Sequence, residues 1–336
     1  MVIEKELALD KFVEKPLKLV SKNVAPVFIS QNPAIIEILF KIRLIANSQA
    51  SVLITGESGT GKEVIASLIH HYGADTHRPF VAINSAALPK DVVDNELFGH
   101  EKEAFTGAVS KKEGCFELAH NGTLFLDEIV EMHPQTQAKL LRAIENKSIR
   151  RLGGKEEVKV DARIIAATNR DIPASLKSGE LREDLFYRLS VIEIHIPSLR
   201  ERKEDIPLLV NHFISLLTKK YGGVEKRFSA ESLEMMKNFD WPGNVRELRN
   251  VVERVMLTCA DVVITPRYLP ERISGSTTND NYIKIPIGTS MDIAEQMIID
   301  QTLAFVNNNK SAAARILGLS RKTLHNNLNE RSTGAC

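Results

Sequence analysis

The sequence predicts an α/β protein: a five-stranded parallel sheet covered by helices, then a small all-helical subdomain, then a C-terminal unit of three helices. Three observations carry that expectation. Between residues 27 and 197, short β-rich apolar runs alternate with stretches of helical periodicity, the pattern of a parallel sheet covered on both faces. From 198 to 273 the strand signal fades and helical spacing takes over, as in DIPLLVNHFISLLTKKYG and NVRELRNVVERVMLTCA. The polar, turn-rich stretch SGSTTNDNYIKIPIGTS, residues 274–290, then has the composition of a linker before a last helical segment over 291–330. Residues 1–26 mix Lys and Glu with spaced leucines and valines and are too short for a domain.

Bulk composition narrows the function classes. A chain of 336 residues, 43% hydrophobic and 26% charged, has room for two or three folded units. A formal net charge of +1 offers no global attraction for nucleic acid or membrane, so such a partner must bind a local patch. Cys115, Cys259 and Cys336 are the three cysteines, without CxxC spacing, which argues against a disulfide framework or zinc site and fits a reducing compartment. No apolar run reaches the roughly 18 to 20 residues of a membrane span, and MVIEKELALDKF is too charged for a signal peptide. The expected location is cytoplasmic.

The first expected strand, SVLIT (51–55), runs into GESGTGKE and then the helical pattern EVIASLIHHYG. Strand, Gly-rich loop and helix in that order are the context of a phosphate-binding loop. Gly56, Gly59 and Gly61 let backbone N–H groups of Glu57, Ser58, Thr60 and their neighbours turn toward phosphate oxygens, and the helix N-terminus adds partial positive charge. Lys62 reaches the β- and γ-phosphates. Glu63 stands where the general motif has a magnesium-binding Ser or Thr, so magnesium is held by water and carboxylates elsewhere, or the loop belongs to a family that dispenses with the hydroxyl.

The second strand is FVAIN (80–84) and the third is TLFLDE (123–128), which presents Asp127 and Glu128 at its C-terminal end, where parallel sheets bind ligands. Asp127 suits magnesium, and Glu128 suits orienting or deprotonating a water for phosphoryl transfer. A helix N-cap is the alternative reading of such a pair; their position 65 residues after Lys62 favours the first. The fourth strand, ARIIAATN (162–169), ends in Thr168 and Asn169, which are placed to detect nucleotide, although Asn169 serves equally to start the next turn. Between it and the fifth strand, VIEIHIP (191–197), lie Arg182 and Arg188 in ELREDLFYRLS. They supply planar charge for a phosphoryl transition state or form surface ion pairs.

In the helical subdomain, WPGNVRELRNVVER places Arg246 in the first turn of a helix, where the dipole disfavours a cation unless an anion such as a nucleotide phosphate lies nearby. In the C-terminal unit, helices are expected at about 291–306, 309–317 and 320–330. SAAARILGLS followed by SRKTLHNNL reads as a helix-turn-helix, with Gly318 in the turn, Ser320 capping the second helix and Leu324 and Leu328 facing inward. Ser320, Arg321, Lys322, Thr323, His325 and Asn326 are then left for double-stranded DNA; a small dimerisation bundle is the alternative.

Taken in order, GESGTGKE, NELFGHEKEAFTGA, GTLFLDEI, LREDLFYRL and WPGNVRELRN resemble the AAA+ domain of the sigma-54-dependent bacterial transcription activators, the enhancer-binding proteins, over about residues 27–330. The terminal unit resembles the Fis-type DNA-binding domain of many of these activators, which dimerises on palindromic enhancers. The family itself has Glu after the P-loop lysine, which accounts for Glu63.

The resemblance implies an AAA+ P-loop NTPase with an α/β core (27–197) and helical lid (198–273), assembling from dimers into a ring, usually hexameric, that hydrolyses ATP with magnesium between subunits. It implies Lys62 as the phosphate-binding lysine, Asp127 and Glu128 as magnesium and catalytic acids, and Thr168 and Asn169 in the first sensor. Arg182 and Arg188 match the fingers reaching a neighbour's ATP, Arg246 the second sensor, and Asn84 a residue that holds the catalytic glutamate until nucleotide and partner signals release it. The segment Glu103 to Ala108 matches the family's GAFTGA loop, which touches sigma-54, so that Phe105, Thr106 and Gly107 would contact the RNA polymerase holoenzyme and remodel the closed promoter complex. Glu103 replaces the loop's first Gly. That replacement leaves a competing reading, a DNA-binding AAA+ regulator that does not activate sigma-54; a remodeller of some other protein is a third. Relatives usually carry an N-terminal sensory domain, such as the receiver of two-component systems, whereas about 26 residues precede the ATPase here.

Overall fold

Val-, Ile- and Leu-rich runs bounded by turn residues form the predicted strands. β1 (Val52–Thr55), β2 (Phe80–Asn84) and β3 (Thr123–Asp127) come first; a hairpin of β4 (Ser148–Arg150) and β5 (Glu157–Lys159) comes next; β6 (Arg163–Thr168) and β7 (Ile192–His195) complete the set. The five long strands make one parallel sheet in the order β2-β3-β6-β1-β7. The computed structural model describes residues 27–73, 78–105, 108–274, 285–286, 288–306 and 309–325, and the chain divides into one unit ending at Ser274 and another from Gly275 onward. The lead-in 1–26 and Cys336 lie outside the described residues.

Alternate strand residues supply the sheet's two faces, as a period of two requires. Leu53, Leu124, Leu126, Ile164 and Ala166 pack with Leu140 and Leu185 on one face. Val52, Ile54, Phe125, Ile165 and Ala167 pack with Ile35, Ile42, Ile65 and Ile69 on the other. Every residue of β6 is buried, the expected state of a central parallel strand. Register sets Asn84 beside Asp127 and Thr55 beside both Thr168 and His195, so the polar strand ends gather along one rim.

The hairpin β4–β5 was not legible in the sequence: SIR and EVK are three residues each and too polar to read as apolar runs. The turn of this hairpin packs on the segment just before Phe105. Gly153, at φ 73°, lies so close to Ala104 that an added Cβ would meet the Ala104 Cβ at 2.7 Å.

Beyond the sheet, helices Asp205–Tyr221, Ala230–Asn238 and Asn244–Thr258 form the helical subdomain around Trp241, whose indole Nε1 donates to Met236 O at 2.7 Å. Leu199, Ile206, Val210, Leu248, Val252 and Cys259 complete that core. Two residues each of Arg227–Phe228 and Val263–Ile264 pair as a minimal parallel ribbon, an addition to the expected helices. Cys115 is buried in the sheet core and Cys259 in the core of the helical subdomain.

In the second unit, helix Met291–Phe305 starts at Ser290 and helix Lys310–Ile316 at Asn309, whose side-chain oxygen accepts from Ser311 N and Ala312 N. Gly318, at φ 66°, makes the turn, Ser320 Oγ accepts from Thr323 N at 3.0 Å, and residues 321–325 are helical. Leu324 is buried among Ile299, Leu303, Ala313 and Ala314. Leu328, the other inward leucine expected, lies outside the described residues.

Candidate functional site

β1 ends at the Gly-rich turn, and helix Lys62–His71 begins directly after Gly61, at φ 108°. Gly59 takes φ 81°, and a Cβ there would meet Gly243 O at 2.4 Å, so only glycine permits this approach of the turn to the helical subdomain. Lys62 is 7% exposed; its ammonium donates to Gly56 O at 3.0 Å and lies 3.3 Å from Glu128 Oε1. Glu63 is exposed at the mouth.

A cavity of about 520 Å³ opens from this turn, walled by Ser58 to Val64, Asp127, Glu128, Arg246 and Arg249, and closed at its apolar end by Phe28, Leu209 and Phe213. Burial, then repulsion from Glu128, holds the Asp127 carboxyl above the ordinary aspartate range, with Lys62 opposing. Glu128 comes directly after β3 in the left-handed conformation (φ 55°, ψ 53°), a strained backbone for a non-glycine residue that swings its side chain toward both Lys62 and β6. Its Oε2 accepts from the Asn169 N–H at 3.0 Å. Thr168 is wholly buried, its Oγ1 accepting from Arg170 N at 3.1 Å, and so fixes the end of β6.

Asn84 corrects one expectation. Its amide Nδ2 donates to Asp127 Oδ2 at 2.9 Å, and its Oδ1 caps the turn at Ala86 N and Ala87 N. The residue expected to hold the glutamate therefore holds the aspartate, because β2–β3 register pairs it with Asp127 while Glu128 turns away toward β6.

Arg246 lies on the cavity wall, where its Nη1 donates to Ser58 Oγ at 3.0 Å. Arg182 and Arg188 do not line this cavity. Arg182 stands just before helix Glu183–Leu189 and forms a 2.6 Å ion pair with Asp184, a surface pair of the kind that was the alternative to a phosphoryl role, and Arg188 is exposed in the same helix.

Several contacts at the Gly-rich turn had no sequence signal. Glu57, from the loop expected to face phosphate, points instead to Arg200 and Asn244. Asn244 is buried and donates to Ser58 O at 3.1 Å while accepting from Leu199 N at 2.7 Å. Arg202 is buried, donates to Thr60 O at 3.0 Å, and stacks its guanidinium 5.3 Å from the Phe28 ring centre. In the sequence it sits in the charged run LRERKED, which reads as a solvated face.

A second feature stands apart from the cavity. His100 bridges to Lys112 on one side and Leu152 on the other, closing the base of a loop. Within it, Glu103 N donates to Ala108 O at 2.8 Å, and the Phe105 ring is 46% exposed with its edge on His100 at 5.1 Å. Thr106 and Gly107 lie outside the described residues. Arg151 anchors the base through Glu101 at 2.7 Å and through Glu117.

Glu103 itself sits at φ 67°, in the region that favours glycine. Among the described residues it pairs with Lys102, an exposed contact that contributes little. Glu103→Gly is expected to leave stability unchanged or raise it by up to about 1 kcal/mol. Denaturant unfolding measures this; a loss of more than that amount would mean the side chain makes an essential contact.

In the second unit, Arg321, Lys322, Thr323 and His325 are exposed around the buried Leu324, and Ser320 Oγ caps their helix. Asn326 lies outside the described residues. Among the described residues no helix is long and apolar enough to cross a membrane, and no three His, Cys, Asp or Glu gather as a metal site.

Comparisons with known proteins match three stretches of the chain. Residues 28–195 match the sigma-54 interaction domain, 200–284 the AAA+ ATPase lid domain, and 290–330 the Fis family of bacterial regulatory proteins. The transcriptional regulatory protein ZraR of Escherichia coli (strain K12) is 44% identical over 301 residues, covering 88% of this chain and 67% of that one. The regulatory protein AtoC of the same organism is 44% identical over 312 residues, covering 90% and 67%. Among solved structures, NtrX from Brucella abortus superposes with a TM-score of 0.70 at 33% identity over 90% of this chain and 68% of that one. NtrX has also been solved with ADP (31% identity, TM-score 0.70, covering 98% and 72%).

Proposed function

The chain belongs to the sigma-54-dependent transcriptional activators with a Fis-type helix-turn-helix, and from that membership we propose that it hydrolyses ATP in an oligomeric ring to open promoters held by sigma-54 RNA polymerase. In this reading its second unit binds double-stranded enhancer DNA through the exposed face Arg321, Lys322, Thr323 and His325.

ATP occupies the 520 Å³ cavity, its phosphates on the turn 56–61 and its base toward Phe28, Leu209 and Phe213. The donor set fits magnesium, because Asp127 and Glu128 both line the cavity beside the Gly-rich turn, two adjacent carboxylates against one lysine. Asp127 would hold the ion, which takes one or two carboxylates with phosphate oxygens and supplies neutralisation of charge on the β- and γ-phosphates. Lys62 exchanges its contact with Glu128 for phosphate. Glu128, kept in place by the Asn169 N–H, orients the attacking water and accepts its proton. Arg246 reads the phosphates from the lid side, and Arg182 and Arg188, which do not line their own chain's cavity, serve a neighbour's.

The observation that carries the coupling is one hydrogen bond followed by a short stretch of chain. Asn84 bonds to Asp127 at one end; the turn 85–87 and helix Lys90–Phe98 then lead directly to the loop bearing Phe105. Movement of Asp127 on hydrolysis thus pulls on the base of the loop. Open-complex formation by sigma-54 polymerase on a responsive promoter tests the proposal. Opening is expected with ATP and absent with a non-hydrolysable analogue; opening without hydrolysis, or none with either nucleotide, overturns it.

A further inference from the structure

Glu57 poses an electrostatic problem: it places a carboxylate inside a loop built to receive several negative charges. Its environment answers that problem. Arg200 engages the carboxylate in a two-pronged pair, Nη1 donating to Oε2 at 2.9 Å and Nη2 to Oε1. Asn244 Nδ2 donates to the same Oε2 at 3.0 Å. Neither Glu57 nor Arg200 lines the cavity, although Ser58 next in the chain does. Arg200 first, then Asn244, holds the Glu57 carboxyl below the ordinary glutamate range.

Both donors belong to the junction with the helical subdomain: Arg200 lies in the turn Leu199–Glu201, and Asn244 starts the helix that carries Arg246. The pair is also half in solvent, each partner 42% exposed, so it adds little to fold stability. A fork-like guanidinium on a carboxylate nevertheless fixes orientation well.

The geometry points to Arg200 as a positioning residue of the nucleotide site, which neutralises Glu57 and keeps its carboxylate turned to the lid and off the phosphate cradle. Without Arg200, Glu57 keeps only the neutral Asn244 donor, stands as an unneutralised negative charge one residue from Ser58, and repels the incoming triphosphate. The inference rests on the reading of the cavity as the ATP site.

A double-mutant cycle on the full-length protein tests it, with ATP binding read by calorimetry at low and moderate salt. Arg200→Ala is expected to weaken ATP binding about tenfold at low salt, less as ions screen the exposed charge. In a Glu57→Gln background the same change is expected to alter affinity less than about threefold, because the charge it unmasks is gone. A merely structural arginine would give equal losses in both backgrounds, and that result, or no loss in either, overturns the proposal. Lys62→Ala is the control for the site: if it abolishes ATP binding while Arg200→Ala is silent, only the role of Arg200 fails. Undiminished binding by Lys62→Ala overturns the nucleotide-site reading and this proposal with it.

Discussion

Glu128→Gln is expected to lower ATP turnover by at least about 100-fold while ATP affinity stays within about threefold of the parent. Geometry sets both halves of that expectation. Glutamine is nearly isosteric, its side-chain oxygen still accepts from Asn169 N, and the left-handed backbone at position 128 is unchanged. What disappears is the proton acceptor, together with the negative charge 3.3 Å from Lys62. Loss of that charge frees Lys62 for phosphate, so binding is not expected to suffer. Phosphate release and equilibrium nucleotide binding, measured on the same preparation, separate the two effects. Turnover within tenfold of the parent would assign the base to another residue.

Phe105→Ala is the second large expected effect, and it separates motor from output. The Phe105 ring is nearly half exposed at a loop whose base is fastened by His100, Arg151 and the Gly153 contact, so removing it leaves the scaffold intact. Burying a phenylalanine against a partner contributes roughly 1.5 to 3 kcal/mol. Losing it is therefore expected to lower promoter opening by about 10- to 100-fold, with ATP turnover within about twofold of the parent. Normal opening by this variant would place the sigma-54 contact elsewhere; equal loss of both activities would mean that the ring supports the ATP site instead.

Most of the fold was legible because its signals are local. Each main strand is an apolar run bounded by turn residues, and the Gly-rich turn is read from its immediate flanks. Lys62 and Arg246 were placed by the same short-range logic. The unreadable contacts all depend on tertiary register. That Asn84 meets Asp127 rather than Glu128 is a consequence of strand pairing and of the left-handed turn at position 128, neither of which the residue types announce. Glu57 and Arg200 are 143 positions apart, and no periodicity links them. The hairpin β4–β5 was invisible for a different reason, since three residues per strand, only the central one apolar, are too few to show an alternation.

Glu103 looks different in the sequence and in the folded loop. In sequence it is a departure from GAFTGA that adds charge and removes backbone freedom. In the folded loop it adopts φ 67°, the conformation a glycine there would supply, with its N–H bonded to Ala108 O. The replacement therefore does not keep the chain out of the left-handed region at that residue.

Trp241, at the centre of the helical subdomain, has a practical consequence as a spectroscopic probe. It is the chain's single tryptophan, fully buried, with Phe239 edge-on at 5.2 Å. Indole emission from the unlabelled protein therefore reports on the lid alone, while backbone circular dichroism averages over every helix and strand. Tracking both signals through a denaturant series distinguishes a lid that melts with the sheet from one that melts before it, without any added dye.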